Sequence, residues 1–304
     1  MHIGTSQFYD KNATQLGKLA GQADTLNTQI ATGKKITAPS QDVVAYNRLT
    51  AIKQSSADSV AYASNVSLAQ SLLQQSDTTL GAIGTQLQRA AELTTQAANG
   101  TLNDANRRTI AIELQSIRDD LISLAGTTDV RGQPLFGAAS GGTAVIQAAD
   151  GTVSFGGTGE VAAIPVANGT DIQATDSAQR VFGNLPASSG GTTDVFAILS
   201  GLISALNTGG SVSAATGSAA DGLRGALTQI SNVQGSVGAR AARLDIVSAQ
   251  STDAAAAREI DRSALEDTDL STAITELQKT ITVLQATQAS FTRLGQLSLF
   301  DYLR

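Results

Sequence analysis

Apolar residues recur at alternating steps of four and three near both ends of the chain. Between Asp269 and Leu303 they are Leu270, Ile274, Leu277, Ile281, Leu284 and Phe291, with Gln288 as the one polar interruption. Between Gly4 and Ala31 they are Leu16, Leu19, Ala23, Leu26 and Ile30. This spacing is the seam of a coiled coil, and at ~1.5 Å per residue each stretch predicts a helix roughly 40 to 45 Å long. Two seams at opposite ends of one chain bury each other by pairing. A hairpin of two helices has too little core to stand alone, so other molecules are expected to complete the packing.

The backs of the two helices point the same way. An ordinary solvated face carries Glu and Lys, whereas these carry mostly Thr, Gln, Ser and Ala. No charged residue occurs from Thr280 to Thr292, and Asp24 is the only one from Leu19 to Thr32. Loss of charge without gain of large apolar groups is the composition of the buried part of a protein interface. The alternative is an internal helical hairpin lying under a domain.

Between the ends the chain reads as helices, a β-rich insertion, then helices again. Gly33 suits a helix C-cap, Pro39 forbids continuation and Ser40 can cap the next helix, so these three residues predict a hinge. Helical periodicity then runs from about Val43 to Ala98, far longer than an average globular helix, and implies a rod. Asn99-Gly100 ends it, Thr101 to Asp104 starts another helix, and Ile110, Leu114, Ile117, Leu121 and Leu124 continue the seam in an antiparallel hairpin. From about Gly126 glycine becomes frequent and alternation replaces the helical period. Asp150-Gly151 between Val145-Ile146-Gln147 and Thr152-Val153-Ser154-Phe155 is a hairpin-turn signal. Helix resumes at Asp194–Leu206, a Gly/Ser/Ala loop is expected over Thr208–Ala220, and a second long tract is marked by Leu223, Leu227, Ile230, Val237 and Leu244. The acidic run Glu266-Asp267-Thr268-Asp269 suits the start of the last helix.

The expected fold is thus mainly α: a long antiparallel helical bundle or coiled coil formed by the N- and C-terminal segments, with a small β-rich inserted domain. Its parts are a terminal coiled-coil assembly domain (1–40 and 268–304), a helical rod (41–137 and 193–267) and a β-rich surface insertion (138–192).

Composition removes most chemistry from consideration. The 304 residues include 41% apolar and 4% aromatic residues with no Trp, so the core must be aliphatic and Ala-rich, which suits close-packed helices. The net charge is -6, and Lys is absent between Gln54 and Gln278, so the basic stripe that a nucleic-acid binder needs is missing. His2 is the sole histidine and there is no Cys, which leaves no Cys/His metal site and no plausible Ser-His-Asp triad. No Lys has a Ser three residues before it. Gly156-Gly157-Thr158-Gly159 lacks the Gly-Lys-Ser/Thr end of a phosphate loop, and Asp267 and Asp269 fit helix capping better than a calcium loop. Asn99-Gly100-Thr101 and Asn168-Gly169-Thr170 match the glycosylation triplet, but turn chemistry is the better reading of both. The apolar run Val195 to Leu206 is too short to span a bilayer, and Met1–Asp10 lacks the pattern of a cleaved signal peptide. Neither catalytic residues, cofactor nor metal are expected, nor membrane insertion.

The joint and the two ends together resemble the flagellin superfamily, and within it the branch that joins hook to filament in the bacterial flagellum. The residues are Ala31-Thr32-Gly33-Lys34-Lys35-Ile36 followed by Pro39-Ser40 and Asp42, then Gly126-Thr127-Thr128-Asp129 and Leu135-Phe136-Gly137. At the end of the chain they are Leu284 to Ser290 and Leu297-Ser298-Leu299-Phe300-Asp301-Tyr302-Leu303. The resemblance covers about residues 1–137 and 193–304; Gln41 and Val43 depart from the family pattern. It implies a structural adaptor that self-assembles as a ring at the hook-filament junction, touching another hook-associated protein and flagellin. It further implies export without cleavage to the extracellular flagellum, with a chaperone on the C-terminal helix. The interface residues would be Leu16, Leu19, Leu26, Ile30, Leu270, Ile274, Leu277, Ile281, Leu284, Phe291, Leu297, Leu299, Phe300 and Leu303. A filament-forming flagellin is the first alternative; a surface polysaccharide-binding module is the other, and only Phe155 and Phe182 offer aromatic platforms in the insertion.

Overall fold

A computed structural model describes residues 2–140, 142–187 and 190–302, and the side chains within these ranges apart from 2–6, 8 and 294–302. The elements in order are α1 (His2–Thr32), α2 (Val43–Ala97), α3 (Asp104–Ala125), β1 (Val145–Gln147), β2 (Val153–Phe155), β3 (Ile164–Ala167) and β4 (Thr170–Ile172). After them come α4 (Ala178–Phe182), β5 (Leu185–Pro186), β6 (Thr192–Thr193), α5 (Val195–Thr208), α6 (Ser213–Glu266) and α7 (Leu270–Tyr302). The fold is mainly α, and the described residues form three small antiparallel strand pairs, β1–β2, β3–β4 and β5–β6.

The helix limits follow local chemistry. Asn103 caps α3 by accepting a hydrogen bond from the Asn106 amide at 2.9 Å, which satisfies one of the amides left orphaned at a helix start. Asp194 does the same for α5 through Ala197. At α2 the cap is Asp42, which accepts from the Ala45 amide, and not Ser40; Pro39 and Ser40 sit inside a turn closed by Gln41 N–H donating to the Ala38 carbonyl. The loop expected over Thr208–Ala220 also proves shorter, because α6 starts at Ser213. Its first turns carry Ala, the best helix former, and they bury Thr216 and Ala219.

The chain forms two compact units, Met1–Asp58 with Asp253–Arg304, and Ser59–Thr252, so α2 and α6 contribute to both. In the larger unit α2 and α6 run antiparallel, as the Gln70–Asp245 hydrogen bond and the approach of Ile230 to Gly84 record. α3 folds back on α2, where Arg89 bridges Glu113 at 2.5 Å, and also packs on α5. Leu73, Leu80, Ile83, Leu87, Leu93, Leu114 and Leu121 are at most 1% exposed in the shared core.

The buried residues of the insertion, among them Val166, Ile172, Val181 and Leu185, belong to one cluster with those of the helices. Phe182 lies between Phe136, which it meets edge to face, and Phe196, which it meets at a tilt, with ring centroids at 6.4 Å and 5.2 Å. Polar ties fasten it as well: Arg240 of α6 donates to the Gln173 carbonyl and to buried Asp176, and the Gln229 amide donates to the carbonyls of Arg180 and Gly183. Its hairpins turn where the sequence places them, with Gly151 at φ +83° and Gly169 at φ +69°.

Candidate assembly interface

Within the smaller unit α1 and α7 pack along each other. They are antiparallel, because Thr268, just before α7, donates to Gly33 at the end of α1, while Phe291 meets Tyr9 edge to face at 5.2 Å. On α1 the partly buried positions are Tyr9, Asn12, Leu16, Leu19, Ala23, Leu26, Gln29 and Ile30, so the predicted heptad face is the one that packs.

On α7 the packed face is rotated from the apolar one. Ala273 is buried, and Leu277, Thr280, Leu284, Thr287 and Phe291 are partly buried. Leu270, Ile274 and Ile281 are 47%, 44% and 38% exposed. At about 100° per residue the exposed stripe lies roughly 80° around the helix from the face that meets α1. Of the six predicted seam residues on α7, Leu277, Leu284 and Phe291 therefore turn toward α1, and Leu270, Ile274 and Ile281 stay uncovered in the single chain. An isoleucine reads the same whether it faces the first partner or a second. Ala273, Thr280 and Thr287 carry no apolar signal, so their part in the seam is invisible to a hydrophobicity pattern. A groove of ≈ 550 Å³ lies beside the pair, lined by Gly21, Leu26, Gln29, Glu276 and Thr280 among others. Nothing stands within 4 Å of where a Gly21 side chain would begin. Leu297, Leu299, Phe300 and Leu303 lie outside the described side chains.

The joint after α1 is tightly bonded. Gly33 takes φ +68°, the left-handed cap geometry only glycine adopts freely. The Gln41 side chain accepts from the Thr37 and Ala38 amides and stitches the Pro39–Ser40 turn. Lys34 and Asp267 form an antiparallel bridge, with Lys35 N–H donating to the Glu266 carbonyl at 2.6 Å.

The Glu266 side chain, 2% exposed, meets three cations: Lys34 at 2.9 Å, Lys53 at 3.0 Å and Arg262 at 2.7 Å. Burial pushes its carboxyl up, but hydrogen bonds from Lys34, Arg262 and Lys53 outweigh that and hold it at about 2. Arg262 is raised in turn, first by Glu259 and then by Glu266. The sequence offered only the acidic run 266–269 as a hint; the partners come from up to 232 residues away, since Lys34 pairs with Glu266. Asp269 caps α7, accepting from Ser271 and Thr272 and held below the usual carboxylate range by Thr272. Among the described residues no group of three His, Cys, Asp or Glu is placed to hold a metal, and no helix is long and apolar enough to cross a membrane.

Fold and interface together define a helical subunit whose two ends pair and leave an apolar stripe bare. Residues 3–154 match the family described as bacterial flagellin N-terminal helical region, and the chain belongs to the flagellin family. It is 27% identical over 319 residues to flagellar hook-associated protein 3 of Salmonella typhimurium, covering 100% of both chains. Flagellin of Listeria monocytogenes is 30% identical over 125 residues, covering 40% of this chain and 44% of its own. The crystal structure of flagellar hook-associated protein 3 from Legionella pneumophila shares the fold, with TM-score 0.65 at 16% identity over 71% of this chain and 98% of that one.

Proposed function

We propose that this chain is a non-enzymatic structural adaptor of the bacterial flagellum, assembled as a ring between hook and filament through α1 and α7. The observation that carries the junction role is coverage. Likeness to a hook-associated protein runs the full length of both chains, whereas the match to the Listeria monocytogenes flagellin covers 40% of this one. The stripe of Leu270, Ile274 and Ile281 supports the mechanism, because it is apolar, continuous with the seam to α1 and uncovered. A second copy of the terminal pair is its occupant in the ring, with another hook-associated protein and flagellin as axial neighbours. Before assembly the same helix is the surface for an export chaperone, and secretion proceeds without cleavage.

Membership of the flagellin family favours one second reading, a flagellin that builds the filament itself. Immunogold labelling of isolated flagella separates the two. A single band at the distal end of the hook is expected; label along the whole filament would overturn the adaptor reading.

A further inference from the structure

The joint after α1 is built from residues that α1 itself does not need. Three elements bring a cation to one buried carboxylate: the connector supplies Lys34, α2 supplies Lys53 and α6 supplies Arg262. Arg262 is steadied in turn by Glu259 at 2.7 Å and by Asp267 at 3.3 Å. A buried carboxylate with one cation would scarcely offset its own desolvation. With three partners, each hydrogen-bonding, the geometry is over-determined, and the side chain cannot leave without stranding a charge.

We infer that Glu266 is an electrostatic latch that pins the connector after α1 to the connector before α7, and so sets the register in which the two terminal helices pair. The backbone reports the same closure. Lys35 N–H donates to the carbonyl of Glu266 itself, and Thr268 N–H donates to the carbonyl of Gly33. These two bonds flank the latch and tie the C-terminal end of α1 to the N-terminal end of α7. Beyond the latch the pair rests on a narrow seam in which Ala273 alone among the described α7 residues is fully buried. Pairing two helices through so thin a seam is marginal by itself. Fixing their adjoining ends turns it into the closing of a short hairpin, and it excludes a slip by one heptad, which the repeat of Leu277, Leu284 and Phe291 at intervals of seven would otherwise permit. Gly33, Pro39 and Ser40 then act as the bend of a latched joint.

The test is residue-resolved hydrogen exchange on the full-length chain at neutral pH, comparing wild type with Glu266→Gln and Lys53→Met. The amides of Lys35 and Thr268 are expected to exchange roughly tenfold faster in Glu266→Gln and by a smaller factor in Lys53→Met, while residues 59–252 keep their protection. Unchanged exchange of both amides in the two variants would overturn the latch. Should Glu266→Gln lose protection throughout 59–252 as well, Lys53→Met decides alone: selective loss at Lys35 and Thr268 supports the latch, and equal loss everywhere or none at all refutes it.

Discussion

Gly157 shows how a single residue type can be demanded by its surroundings. A side chain there would overlap the Ser140 carbonyl oxygen, and one at neighbouring Gly156 would overlap the Thr143 carbonyl. The glycine run that resembles a phosphate loop in composition is an edge laid against residues 139–140 and 143–144, with Ala139 N–H donating to the Gly159 carbonyl and Gly156 N–H to that of Ala144. Gly157→Ala should therefore lower stability by about 1 to 3 kcal/mol through forced overpacking, read as a fall in the denaturant midpoint. Glu266 makes a different demand at the same scale. Its carboxyl lies below its ordinary value when folded, so the stability it contributes is complete above about 4.5 and is lost as pH falls toward about 2. The amount is on the order of 3 kcal/mol. Thermal unfolding of wild type and Glu266→Gln from pH 6 to 2 should show the wild type's advantage vanishing across that window; an advantage constant down to pH 2 would contradict it. Taking the difference between the two proteins removes the shared contributions of Asp129 and Asp269, which are also held low.

At the scale of elements, α7 separates two duties that one heptad pattern had merged. Leu277 and Leu284 serve the contact with α1, and Ile274 and Ile281 stay exposed, which in the proposed ring leaves them for a second copy. Replacing Ile274 and Ile281 together by Ser should leave the monomer's helix content and melting within about 0.5 kcal/mol of wild type, as for other exposed positions, while abolishing assembly in a sedimentation assay. Leu277→Ala with Leu284→Ala should instead loosen the pair itself, seen as loss of helical signal. Equal effects from the two variants would mean that the faces are not distinct. The element pattern was readable because heptads, Asp150-Gly151 and Asn168-Gly169 act locally, although the cap of α3 is Asn103 and not Thr101, which bonds back to Asn99. The start of α6 was not, since Ser, Gly, Thr and Ala from Ser213 to Ala220 look like a loop until Thr216 and Ala219 find a core to enter.

For the whole molecule, the order of helices, insertion and helices follows from periodicity, and so does the return of the two ends to one another. Two things stayed hidden because they depend on distant contacts. One is the dependence of the insertion on Phe136, Phe196 and Arg240 for its packing. The other is the three-cation cage around Glu266, assembled from positions 34, 53 and 262. Neither leaves a trace in local spacing. The surface of the insertion, by contrast, is free of such ties at Ile146, 51% exposed, and along its hairpin turns, so variation there costs the helical frame little.

The offset of roughly 80° between the two faces of α7 has a kinetic consequence. If one face had to serve both partners, each incoming subunit would first have to pry its own terminal helices apart, and growth would wait on that opening. Under the proposed assembly, adjacent faces would let the incoming subunit dock while its internal pair stays closed. Addition should then be limited by encounter alone, with a rate proportional to subunit concentration and no plateau from a slow unimolecular step.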